Sequence, residues 1–74
     1  LPKQLNKKLL KKVTKELIAI RKNVGIKQED VIFDTGVHIG RIESGMFDIT
    51  LSTLKKLADY YNTDLESIFK NIKQ

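Results

Sequence analysis

No cysteine occurs in the chain, which excludes a disulfide framework, a thiolate zinc site and a cysteine nucleophile, and makes a reducing, cytoplasmic setting the simplest expectation. The single histidine, His38, cannot build a multi-histidine metal site, so no metal and no other cofactor is expected. Apolar runs are short. The longest is Leu17-Ile18-Ala19-Ile20, far below the roughly 20 residues needed to cross a bilayer, so no membrane span is expected. No signal peptide is visible. The 74 residues form one small domain, with residues 1–5, which open Leu-Pro, read as a flexible end. A domain this small has no room for a buried active-site cavity. There is no nucleophile paired with a base, no phosphate-cradling glycine loop and no facing pair of carboxylates, so no catalytic residue is assigned and the chain does not read as an enzyme. Its 41% apolar and 31% charged residues nonetheless place it among chains that fold.

The net charge of +5 is unevenly spread. From Leu1 to Lys27, nine Lys and Arg residues meet Glu16 alone, a balance of +8, whereas from Gln28 to Gln74 five basic residues meet eight acidic ones, a balance of −3. A polyanion is drawn to such a surface, because each phosphate neutralised releases counterions. A solvated helix face is the plainer use of the same lysines.

Four glycines and one proline leave few breaks. Between them, helical periodicity runs throughout. Leu10, Val13, Leu17, Ile20 and Val24 step by three and four, the apolar face of a first helix from about Lys7 to Val24, with lysines opposite. Asn6 suits its N-cap, Leu5 and Leu10 stand at staple spacing, and Gly25 suits the left-handed position after its end. Gln28 to Phe33 reads as a short second helix whose Glu29 and Asp30 complement the dipole. Thr35 is a cap candidate for a third, which carries Ile39 and Ile42 inward and closes at Gly45. Thr50 caps a fourth, with Leu51, Leu54, Leu57, Ala58 and Tyr61 on one face. Thr63 with Glu66 makes a capping box for a fifth, which buries Leu65, Ile68, Phe69 and Ile72. The expected class is all-α, a five-helix bundle.

Two helices a short turn apart, the second brief and ended by glycine, are a helix-turn-helix candidate. Arg21, then Gln28-Glu29-Asp30-Val31, then Ile39-Gly40-Arg41-Ile42-Glu43-Ser44-Gly45, then Thr50-Leu51-Ser52-Thr53-Leu54 with Leu57-Ala58, resemble the Cro and lambda-repressor type of DNA-binding domain. The resemblance spans roughly Leu17 to Phe69; its motifs are loose singly and fairly specific together. It implies a five-helix domain that binds operator DNA, usually as a dimer, with the third helix in the major groove. One departure matters. Between the glutamine opening helix 2 and the glutamate closing helix 3, the chain is three residues shorter than the usual pattern. Counting back from Glu43 puts the loss in helix 2, makes Thr35 the N-cap of the recognition helix and turns Gly36, Val37, His38 and Arg41 to the DNA. Anchoring on Gly36-Val37 as the turn leaves helix 3 barely more than one turn long. The first register is favoured, because so short a helix presents few side chains to bases.

On that reading Arg41 is the principal base contact, since a guanidinium bonds both O6 and N7 of guanine, worth about 1 to 3 kcal/mol of discrimination. A surface arginine that touches phosphate is its plain alternative. His38 and Val37 are the other base candidates, with Val37 packing under helix 2 if the second register holds. Gln28, Thr35 and Lys27 are phosphate candidates; the first two stand at helix starts, and each has a local capping role as alternative. Lys27 replaces the Ser or Thr common in the family and cannot cap. The resemblance implies that Arg21 pairs with Glu43 as scaffold. The partners expected are double-stranded DNA and a second copy of the chain, at least on DNA, through Tyr60 and Ile72 at the C-terminal end. Repression is the leading role. A protein-interaction module, such as an antitoxin docked on a toxin, is the competing class.

Overall fold

The computed structural model describes residues 6–72. Among them are five helices and no strand: α1 (Lys7–Val24), α2 (Gln28–Thr35), α3 (Ile39–Glu43), α4 (Leu51–Tyr60) and α5 (Leu65–Asn71). The expectations for residues 1–5 and for the Leu5 half of the staple lie outside the described residues.

The long first helix is specified at both ends. Asn6 Oδ1 accepts the Leu9 N–H at 3.0 Å, which satisfies one of the orphan donors of the first turn. At the other end Gly25 takes φ 78, and the N–H groups of Gly25 and Ile26 return to the carbonyls of Lys22 and Arg21. That pairing needs a left-handed residue, which glycine supplies without strain. Leu10, Val13 and Leu17 are buried. Val24, expected on the same face, is exposed, because the helix outruns the core beneath it.

The register of the helix-turn-helix is the second of the two weighed above, not the favoured one. Helix α2 runs on to Thr35 and is stopped by Gly36 at φ 76, whose N–H donates to the Ile32 carbonyl. Thr35 is therefore the last residue of α2, not the N-cap of α3. Its hydroxyl donates to the Val31 carbonyl at 2.6 Å and accepts the Val37 N–H at 3.0 Å. Val37 is half-buried against the core and Ile39 is fully buried. The missing residues are thus lost from the start of α3, which retains five.

Helix α4 begins at Thr50, whose hydroxyl accepts the Thr53 N–H at 3.1 Å. It buries Leu54, Leu57 and Ala58, with Tyr61 just beyond them. Leu51 is 72% exposed instead of inward, on the wall of a groove that it lines with Leu9 of α1 and Phe69 of α5. Asn62, at φ 59, ends the helix. There the Thr63 N–H bonds the Ala58 carbonyl and the Asn62 N–H that of Asp59, the same two-bond closure seen after α1. Because Thr63 still belongs to that closure, the cap of α5 is Asp64, which accepts the Ser67 N–H at 2.7 Å. This hydrogen bond is the main reason that its carboxyl is held below the ordinary carboxylate range.

Leu17 and Val13 of α1, Val31, Ile39, Leu54, Leu57 and Ile68 meet in one core. Ile72 joins them at 7% exposure, in keeping with its inward place on the helical spacing and against its assignment as a contact for a second copy. The side chain left out on α5 is Phe69. Helix α3 packs on α1 and α2, so its position is set by both.

Candidate nucleic-acid interface

Five residues are too few to hold a helix by its own hydrogen bonds, since nucleating a turn is unfavourable and isolated helices below about 12 residues are marginal. His38, at its start, provides no side-chain cap. Tertiary contacts do the holding. The Arg21 guanidinium meets the Glu43 carboxylate with two bonds, Nε to Oε2 at 2.6 Å and Nη2 to Oε1 at 3.0 Å, while Nη1 donates to the Ile26 carbonyl at 2.9 Å. The two side chains are only 11% and 6% exposed. The hydrogen bond to Glu43 raises the Arg21 pKa further above its ordinary value. Gln28 adds a third hydrogen bond to the same carboxylate, Nε2 to Oε1 at 2.8 Å. A Cβ on Gly40 would stand 3.4 Å from the Gln28 amide oxygen, so the bare glycine leaves that amide its path. Buried Tyr61 has no hydrogen-bond partner for its hydroxyl among the described residues. Burial first, then the Glu43 charge, pushes its pKa up to about 12.

The last residue of α3 is thus fixed to the end of α1 and the start of α2. The exposed residues at and along α3 are His38, Gly40 and Arg41. With Ile32 of α2 they line an open cleft of about 310 Å³. Arg41 is further constrained from beyond the helix: its Cζ lies over the Phe47 ring, 5.0 Å from the centroid. Between them Ser44 Oγ donates to the Arg41 carbonyl at 2.6 Å and accepts the Met46 N–H at 3.3 Å.

The structure therefore brings together Arg21, Glu43 and Gln28, and separately His38 and Arg41. It withdraws others. The Gln28 amide N–H points into the ion pair, Val37 is half-buried, and the Thr35 hydroxyl is satisfied within the exit of α2. Lys27 is the N-cap of α2, makes no side-chain cap bond and is exposed. Tyr60 donates its hydroxyl to Asp34, which ties α4 to α2 and raises the phenol to about 12. Phe47 and Ser44 escaped sequence reasoning. Nothing in a linear sequence marks an aromatic six positions after an arginine as its stacking partner; Gly45 alone hinted that the chain turns back there.

Among the described residues no group of His, Cys, Asp and Glu is placed to hold a metal, and no helix is long and apolar enough to cross a membrane. A protein-family model described as Helix-turn-helix matches residues 17–68, well over half of the chain. No curated protein and no solved structure shows significant similarity to it.

Proposed function

The chain belongs to the helix-turn-helix family of the Cro and lambda-repressor type, a family of DNA-binding transcription regulators, and from that premise we propose that it is a sequence-specific repressor that reads the major groove through α3. The observation that carries this reading is the docking of α3: Glu43 is clamped by Arg21 and Gln28 while Arg41, two residues earlier, stands exposed on the outer surface. A side chain presented from a rigid mount loses less entropy on binding. In this reading Arg41 contacts a base and His38 a base or phosphate. Lys27 approaches phosphate, and the exposed lysines of α1 add attraction that does not depend on sequence. Val37 and Thr35 contribute through packing. The work is binding rather than catalysis, with the cytoplasm as its setting.

A helix of five residues rises about 7.5 Å, the span of roughly two base-pair steps. Useful specificity then requires two copies on a palindromic site. With Ile72 in the core and the Tyr60 hydroxyl bonded to Asp34, the surface assigned to a second copy moves to Leu51 and Phe69, two of the exposed apolar side chains, beside a groove of about 160 Å³ that they line with Leu9 and Ile49.

A second reading rests on Phe33, 90% exposed on α2 among Glu29, Asp30 and Asp34 with no basic residue on that helix. Such a face suits a basic protein partner, as an antitoxin-like module would require. Titration of a duplex selected from a random pool, at several salt concentrations and with sedimentation of the complex, separates the two. The first reading expects a preferred duplex, two chains per site and affinity that falls steeply with salt; equal weak binding to every duplex supports the second.

A further inference from the structure

Phe47 lies outside the helix-turn-helix, in the loop between α3 and α4, and is half exposed. No core takes up its ring, and a large apolar side chain left in water costs stability without a packing return. What the ring does meet is Arg41, whose Cζ sits 5.0 Å from its centroid, within the range of a cation and π-face attraction. The loop is shaped to bring this about. Ser44 Oγ holds the Arg41 carbonyl and the Met46 N–H at once, Gly45 turns the chain at φ 73, and Phe47 comes back beneath the arginine.

Arginine has a long side chain with much rotamer freedom, and ordering it costs affinity where its bidentate contact forms, that is on the right base pair, unless it is already ordered. In a longer recognition helix several side chains share the readout. Here α3 has lost its first turn, Gly40 contributes no side chain, and Arg41 carries most of what remains. We propose that Phe47 is a specificity-determining positioning residue: its ring covers one face of the Arg41 guanidinium and restricts its rotamers, leaving the N–H edge free for the O6 and N7 edge of guanine. The reading surface is then α3 together with the loop that follows it. This rests on the proposed role of Arg41 in base readout.

The test is competition between a duplex selected from a random pool and the same duplex with its contacted G·C pair changed to A·T. Arg41→Ala loses most of the discrimination. Phe47→Leu, which keeps the apolar bulk and removes the π-face, reduces it about two- to fivefold, with no change in the salt dependence of binding, and Phe47→Tyr retains it. In the Arg41→Ala background, Phe47→Leu has no further effect, because it acts through the arginine. The inference is overturned if Phe47→Leu discriminates like the parent while Arg41→Ala does not, or if the two losses add, which would mean that Phe47 touches DNA itself. If Arg41→Ala discriminates like the parent, the role of Arg41 falls first and the positioning role with it. Thermal melting of each variant separates these outcomes from loss of fold.

Discussion

Helices α1 and α3 are held by opposite means. Helix α1 has 18 residues, a side-chain cap at its start, a glycine closure at its end and an unbroken apolar stripe. Helix α3 has five residues and no side-chain cap, and is held by a carboxylate that two other helices grip. The first is a helix because of its own sequence. The second is a helix because of where α1 and α2 place it. A short helix with no local stability of its own can still be rigid, provided that its last residue is tied to the scaffold and Ile39 is sunk in the core.

The difference is broken most forcefully at the tie. Glu43→Ala leaves the Arg21 guanidinium unpaired in a site where it is 11% exposed, and Arg21→Ala does the same to Glu43 at 6%. Either should destabilise the fold by about 3 kcal/mol in chemical denaturation. A loss below about 0.5 kcal/mol, the range of ordinary surface substitutions, would show that α3 stands without the tie. The caps sharpen the contrast at smaller scale. Asn6→Ala should cost about 1 kcal/mol and fray the start of α1 in hydrogen exchange. His38→Ala, at the corresponding position of α3, should change stability by less than about 0.5 kcal/mol; an effect equal to that of Asn6 would mean that α3 does rely on its own cap.

The smallest effect is spectroscopic. Tyr60 and Tyr61 both stand at about 12 against an ordinary 10.0, Tyr60 mainly through its hydrogen bond to Asp34 and Tyr61 mainly through burial, with the Glu43 charge next. A raised phenol pKa favours the neutral form in the folded state. The corresponding stability is complete below pH 10.0 and is lost as pH rises through about 12. Ultraviolet titration should show late ionisation in the folded protein. Asp34→Asn should bring Tyr60 down and leave Tyr61 in place, whereas Glu43→Ala should lower Tyr61 alone. A single shared change would contradict separate origins.

Much of the framework was legible because it is local. Asn6, Gly25 and Thr50 act on backbone within a turn of themselves, and the apolar spacing of α1 and α4 reports burial directly. Two cap-type residues in succession, Thr63 and Asp64, blurred the start of α5; the choice falls to Asp64 because Asn62 in a left-handed conformation keeps Thr63 in the closure of α4. The register of α3 is ambiguous in the sequence for a related reason. Gly36 and Thr35 both offer punctuation, and the decision between them depends on where Val37 and Ile39 reach the core. Ile72 shows the same limit: the sequence admits both a buried place on α5 and a contact with a second copy, and the packing of α1 against α5 decides for burial. The Arg21 and Glu43 pairing came through family resemblance, since no spacing rule links residues 22 positions apart. The Phe47 contact with Arg41 had no precursor in the sequence pattern at all.

The proposed function requires that a helix of five residues reads sequence, through Arg41 above all. A binding profile in which each base pair of the selected duplex is changed in turn, measured for the parent chain and for Arg41→Ala, tests it most directly. If Arg41 contacts a base, Arg41→Ala flattens the profile at one or two base pairs of each half-site, worth about 1 to 3 kcal/mol there, and leaves the others unchanged. A uniform weakening at every position, with the preference intact, would assign Arg41 to a phosphate and contradict readout by α3.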